Sequence, residues 1–322
     1  MSSDGGVSYE NLDRLITVEM RPPSLPQGLV PQLYAAARGA GGPLVQRIGD
    51  ELVALEPGRI AVFTGVVIPP YLEIGEMDGP PGSTVLASAL ARIGHEVQLV
   101  VETEQVAAAR ALCRVAGADD VVVGDLEAFS DGNVERYAET LAAAIAVEKI
   151  SENAQGVRHS LLGTPLDSLD DRTDSVFAAL ARLGRPTVGI GDGGNEIGFA
   201  AISDHVHRIL GDGANCRCGC EAGLVAATAT THLLPCAISN VGAYAVAGAL
   251  ALTLERPELC PDAKLLWALL EAGMAEGLLD GGTLDPTFVG DDGIPGEAIA
   301  AMVELIATIV SQRSRTIAER PF

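Results

Sequence analysis

Short valine- and isoleucine-rich runs recur along the chain, each followed by an amphipathic stretch, and this rhythm limits the folds open to it more than any other feature. Six runs read as strands: Arg59 to Ile68, Glu96 to Val101, Asp120 to Val123, Ala143 to Val147, Thr187 to Ile190 and Leu233 to Ile238. Near-continuous apolar strands separated by helices predict an α/β fold, doubly wound, with a mostly parallel sheet covered by helices on both faces. Such a sheet gathers ligand-binding residues at the carboxyl ends of its strands. Ser83 reads as the cap of a helix with Val85, Leu86, Ala89, Leu90 and Ile93 inward, ended by Gly94. Asp174 reads as the cap of another, with Val176, Phe177, Leu180 and Leu183 inward. Leu29 to Ala37 and Pro43 to Leu55 predict two leading helices; Val241 to Leu254, Ala263 to Ala272 and Gly296 to Val310 predict three closing ones. The expected organisation is a single domain over 1–322, with leading helices over 1–57 and the sheet core and C-terminal helices over 58–322. The Gly/Asp/Pro-rich stretch Gly277 to Pro295 is the longest expected loop, and long loops in compact domains tend to be functional.

Composition narrows the partners. Of 322 residues, 43 are acidic and 21 are Lys or Arg, a formal net charge of -22, which repels nucleic acid and anionic membrane surfaces. The apolar stretch Leu233 to Leu254 contains Pro235 and breaks at Ser239-Asn240-Val241-Gly242. What remains is shorter than the ~20 residues a bilayer span needs, so it reads as strand, turn and buried helix. The first residues carry acids where a leader carries bases, so a cytoplasmic location is expected. The six cysteines are expected to be thiols rather than a disulfide framework.

Four clusters can carry chemistry. In Thr187 to Gly198 an apolar strand runs into Gly191-Asp192-Gly193-Gly194-Asn195-Glu196. Its glycines permit a tight turn and close ligand approach, and its two carboxylates and amide suit an amine, a divalent metal or both; the alternative is a turn with solvated acids. Gly75 to Gly82 places Glu76, Asp78 and Gly79 just before a helix N-terminus, where free N–H groups can receive a carboxylate; the alternative is a stiff acidic loop. Ala143 to Asn153 ends a strand in Glu148-Lys149, and Lys149, one of two lysines in the chain, can hold a substrate carboxylate or lie on the surface. Ser239 and Asn240 open a helix as its cap, as a wall of the pocket, or as both. A fifth group, Cys216, Cys218 and Cys220, alternates instead of showing usual zinc spacing. A loop of reduced thiols is the expected reading, and metal binding there is left open.

Together these elements resemble the D-glutamate cyclase family, in its cyclase-like C-terminal domain. The resemblance is carried by Gly75 to Val100, Ala144 to Val157, Gly189 to Gly198, Ala237 to Leu250 and Gly277 to Gly293, in that order, with DGGNEIG the most distinctive. It implies a carbon–oxygen lyase that converts D-glutamate to 5-oxo-D-proline with loss of water. Asp192, Glu196 and Asn195 are then expected to be catalytic: the acids bind the ammonium and one deprotonates it, while Asn195 polarises the reacting carboxylate. Glu76, Asp78, Gly79, Ser83, Glu148, Lys149, Asn153, Gly193, Gly194, Ser239 and Asn240 are expected to bind substrate. Glu76 and Asp78 are also a candidate shelf for a divalent cation, manganese or magnesium; no organic cofactor is expected. The expected partner is a small amino acid, with homo-oligomerisation left open. The chain departs from the family pattern at Phe199-Ala200-Ala201, at Arg158 to Gly163 and at Val241, and the departure that begins at Phe199 marks where its specificity is expected to differ. A cyclase for another small acid, a non-catalytic binding protein and a partner-binding subunit are the competing readings.

Overall fold

The computed structural model describes residues 4–23, 27–126, 133–166 and 172–313. Six strands form one parallel sheet in the order β3-β2-β1-β4-β5-β6. They are β1 (Arg59–Thr64), β2 (Glu96–Val101), β3 (Val122–Asp125), β4 (Leu141–Val147), β5 (Thr187–Gly191) and β6 (His232–Pro235). All six expected strands are present. The first is shorter than expected because Gly65, at φ 97°, turns the chain out of the sheet.

Side chains along a strand alternate between the two faces of the sheet, and both faces are buried. Ile60, Val62, Leu99, Ile145, Val147, Val188 and Ile190 belong to the larger core. That core is covered by α1 (Asp4–Ile16), α3 (Leu44–Ala54), α4 (Pro80–Arg92), α5 (Val106–Val115), α9 (Ser239–Leu254), α10 (Ala263–Ala275) and α11 (Gly296–Arg313). Ala61, Phe63, Val100, Ala144 and Ala146 face the smaller core under α6 (Val134–Thr140) and α7 (Thr173–Arg182), where Phe63 and Phe177 meet edge to face at 5.7 Å. The remaining α-helices among the described residues are α2 (Val30–Arg38) and α8 (Ser203–Leu210). The fold is a doubly wound α/β structure with unequal layers. Among the described residues no helix is long and apolar enough to cross a membrane.

The stretch that imitates a membrane span is strand β6, a turn and helix α9. Apart from its last turn, α9 is buried, as its lack of a polar stripe requires. Its surroundings approach closely: Gly49 of α3 lies against Ala249, and Gly82 of α4 against the backbone of Asn240.

Two expected helix caps are corrected. Ser83 lies inside α4, which starts at Pro80 after Gly79, and it is fully buried. Asp174 lies in the first turn of α7 but its carboxylate accepts hydrogen bonds from Ser151 Oγ (2.5 Å), Glu152 N (3.2 Å), Arg158 Nη2 (2.7 Å) and Thr228 Oγ1 (2.5 Å), leaving nothing for its own helix. Leu183, expected inward, is 45% exposed. Helix α1 was not expected, because its Asp-Gly-Gly start disguises it. The expected loop at Gly277 contains a hairpin, β7 (Gly290–Asp291) and β8 (Ile294–Pro295).

A methyl group at Gly82 would sit 2.7 Å from the Asn240 Cα. Gly82→Ala should therefore destabilise the fold by about 2 kcal/mol or more, whereas Gly213→Ala, whose added carbon meets nothing closer than 4.0 Å, should stay within ~0.5 kcal/mol of the parent. Thermal unfolding of the two variants compares them directly; equal melting temperatures would refute the tight helix contact.

Candidate active site

In this strand order the connections leaving β1 and β4 run to opposite sides, which opens a crevice at their carboxyl ends. A cavity of about 200 Å3 lies there, lined by Arg21, Glu76, Glu148, Asp192, Asn195 and Asp292 among others. It is smaller than the ~300–1,000 Å3 of pockets for drug-sized ligands, so it suits a small metabolite.

Each wall is shaped locally. After β5 the chain turns through Asp192-Gly193-Gly194, and the Glu196 carboxylate accepts the N–H groups of Asp192 (2.9 Å), Gly193 (2.8 Å) and Gly194 (2.7 Å). After β4, residues 149–151 pair antiparallel with 195–197 through Ser151 N to Asn195 O and Ile197 N to Lys149 O, both 2.9 Å. Between these elements Glu148 is held at φ 46°, a conformation that costs a non-glycine residue energy and that recurs at functional sites. Its carboxylate accepts the Ser239 hydroxyl at 2.6 Å.

The loop after β1 and helix α9 cap each other. Asp78 accepts Ser239 N (2.9 Å) on one oxygen and Asn240 N (2.8 Å) on the other, while Asn240 Oδ1 accepts Gly79 N (3.1 Å) and Gly82 N (2.6 Å). The Asn240 amide nitrogen donates to Met77 O and to Asp291 Oδ2, tying in the hairpin. Asp292 and Gly293 form the hairpin turn at φ 55° and 71°, the positive values that a tight Asp-Gly turn requires. From there Asp292 reaches Arg21, whose Nε donates to it at 2.9 Å and whose Nη2 also donates to Asp192.

Electrostatics follow from this geometry. Glu76, Asp78, Glu148, Asp192, Glu196, Asp280, Asp291 and Asp292 surround the crevice, and among the described residues Arg21 is the cation that lines the cavity with them. Burial, and next the charge of neighbouring carboxylates, pushes Glu76, Glu148 and Asp291 well above the usual range. Asp192 is also raised well above it by burial, opposed by Arg21. Burial and Asp292 bring Asp78 up to about 7. The cavity is thus short of positive charge, and a bound cation would relieve the deficit.

The profile of the family described as D-glutamate cyclase-like, C-terminal, matches residues 36–307. The chain belongs to the D-glutamate cyclase-like family. The human protein "D-glutamate cyclase, mitochondrial" is 28% identical over 193 residues, covering 54% of this chain and 29% of that protein. The chain thus matches less than a third of that relative's length.

Within this D-glutamate cyclase-like chain the expected residues divide. Asp192, Asn195, Glu76 and Glu148 line the cavity. Glu196, with Gly193 and Gly194, shapes the turn that presents Asp192: its oxygens already accept three backbone N–H groups. The helix N-termini expected to receive a carboxylate are corrected. Asn240 fills that of α4, Asp78 fills that of α9, and so neither Ser239 nor Asn240 caps its own helix. Lys149 is corrected as well. It is buried against Glu102 and Gly65 O, and it borders a neighbouring cavity of about 360 Å3 instead of the acidic one. Asn153 faces the cysteine loop, donating to Gly223 O (2.6 Å) and Cys220 Sγ (3.2 Å), not the crevice. Sequence reasoning missed Arg21 and Asp292 as site residues. Arg21 stands in a stretch without periodicity, whereas the Asp292-Gly293 pair is a turn signal that could have pointed to Asp292.

The raised carboxyls bind more protons when folded than when unfolded, so stability should fall as pH rises from the usual carboxylate range through about 7, the Asp78 value. Melting temperatures between about pH 5 and about pH 8 should decline, and Arg21→Gln should steepen the decline by removing the cation that opposes the shifts. A flat profile in both proteins would show that these carboxyls are not held protonated.

Proposed function

We propose that the chain is a hydro-lyase that closes an amino diacid to its lactam, with D-glutamate and 5-oxo-D-proline the pair its family relation favours. The observation that carries this reading is the small, cation-poor, carboxylate-lined cavity at the sheet's switch point, which favours a positively charged guest. A substrate ammonium supplies that charge. Its carboxylates meet the protonated forms of Glu76 and Glu148, which donate hydrogen bonds, and the amide of Asn195, anchored through Nδ2 to His159 O at 2.8 Å.

Lactam formation moves two protons from nitrogen to the departing oxygen; the C–N bond forms and a C–O bond breaks to release water. Asp192, a base with a raised pKa, takes protons on the nitrogen side, and Glu148 delivers them on the oxygen side. The charge of Glu148 raises the affinity of Asp192 for protons, and the two carboxyls share the one that resets them. Glu196 keeps Asp192 in place. Arg21, held between Asp192 and Asp292, orients Asp192 and tempers its basicity.

The donor chemistry also fits a hard divalent cation. Oxygens of Glu148, Asp192 and Glu196 lie within 4.8 Å of one another, as do those of Asp78, Asp192 and Asp292. Because Asp78 is committed to α9, the Glu148 and Asp192 side is the better holder than the expected Glu76 and Asp78 shelf. Such a cation would polarise the reacting carboxyl and offset the pocket's charge.

Purified protein incubated with D- and L-amino diacids, with and without chelator, should convert one D-enantiomer to a product lighter by one water. Asp192→Asn and Glu148→Gln should each lower turnover at least ~100-fold while the circular dichroism spectrum is unchanged. Binding of the amino diacid without any product would replace the lyase reading with that of a binding protein.

A further inference from the structure

The cysteine loop lies outside the acidic cavity, and its geometry has a chemistry of its own. Gly219, Glu221 and Gly223 all adopt positive φ, at 77°, 61° and 72°. Cysteines at alternate positions of an extended strand would stand ~6.6 Å apart; this curled backbone brings Cys216 Sγ to 3.4 Å from Cys220 Sγ and 3.7 Å from Cys218 Sγ. His159 comes from a separate segment, with its ring fully buried, and its Nε2 stands 3.2 Å from Cys218 Sγ. The four ligand atoms all fall within 4.8 Å of one another.

Tetrahedral zinc with Zn–S of ~2.3 Å and Zn–N of ~2.0–2.1 Å places its sulfurs ~3.8 Å apart and its nitrogen ~3.6 Å from each sulfur. The observed sulfur separations of 3.4 and 3.7 Å and the nitrogen–sulfur separation of 3.2 Å lie within about 0.4 Å of those edges, and the sulfurs are far beyond the ~2.05 Å of a disulfide. Three thiols and an imidazole are a soft donor set of the kind that selects zinc. The surroundings suit such a site. Asn153 donates to Cys220 Sγ at 3.2 Å and is itself fixed by accepting Gln155 N (2.9 Å) and Val157 N (3.1 Å) on Oδ1. Arg217 N donates to Gly163 O at 2.8 Å, and Gly163 leaves no room for a side chain beneath Asn215 and Cys216.

We infer that His159, Cys216, Cys218 and Cys220 form a structural zinc site that clamps the cysteine loop to the segment 159–163. Four protein ligands close the coordination sphere, so the ion is structural, not catalytic. The segment it holds includes Ser160, Leu161 and Leu162, which line the acidic cavity, and His159 O, which anchors Asn195. The metal therefore fixes one wall of that cavity from outside, and its presence does not depend on which reaction the cavity performs.

The full-length chain, expressed with added zinc and dialysed against a weak carboxylate chelator, should retain about one zinc per chain by elemental mass spectrometry. Cys216→Ser and Cys218→Ser should lose it, and Cys113→Ser, in α5 and buried in the larger core, should keep it. Cobalt exchanged into the parent protein should show the intense sulfur-to-cobalt absorption of a thiolate site. Where a serine variant does not fold, titration of the parent with a mercurial serves instead: zinc should be released in step with three thiols. Protein without zinc, a Cys216–Cys220 disulfide found by peptide mapping, or zinc retained by both serine variants would each overturn the assignment.

Discussion

The reciprocal capping of α4 and α9 by Asn240 and Asp78 is the contact on which the site depends. Two helix N-termini meet at the mouth of the sheet, and each exposes N–H groups that would be costly to bury unpaired. Each is satisfied by a side chain from the other's neighbourhood, and the absence of a side chain at Gly82 lets the backbones close to contact. Because Asn240 also holds Met77 O and Asp291, one set of bonds fixes the loop after β1, the head of α9 and the β7–β8 hairpin in a single frame. Ser239, as the first residue of α9, is thereby placed to bond Glu148.

That frame concentrates like charge. Carboxylates from five segments converge on a small crevice that Arg21 also lines; burial and mutual repulsion raise the pKa of several of them, while backbone N–H groups hold others. Such an arrangement is poor for stability and good for receiving a cation, because ligand charge relieves repulsion that the fold has already built in. Strain sits in the same place: Glu148 and Asp292 both adopt positive φ, and both carboxylates face the crevice. The cysteine loop repeats the pattern on a smaller scale, with backbone curvature at Gly219 and Gly223 gathering soft ligands against a histidine from another segment.

Strand β2 matched its expected bounds because Glu-Val-Gln-Leu-Val-Val both begins and ends in recognisable ways. The first and last strands ended sooner than their apolar runs, at Gly65 and Pro235, where backbone conformation or a missing N–H overrules hydrophobicity. Asp192, Glu148 and Asn195 were legible because each stands at or just beyond the carboxyl end of a strand. Lys149 and Asn153 were misread for a common reason. Residue type and spacing advertise hydrogen-bonding capacity, but a neighbour distant in sequence decides where it is spent: Glu102 for Lys149 and Gly223 for Asn153.

Local order in the chain was enough to specify a parallel sheet buried on both faces, since only that arrangement hides so many β-branched runs interleaved with amphipathic helices. It was also enough to place the glycine-rich, acidic turn after β5 at the sheet edge, where Asp192 and Asn195 line the crevice. Tertiary structure alone decided which acids have their pKa raised by burial, which are committed to backbone, and that Arg21 stands between Asp192 and Asp292, 171 and 271 positions away. The reason is physical: hydrophobic periodicity is written between near neighbours in sequence, whereas charge interactions depend on distance and desolvation in space, which no local pattern encodes.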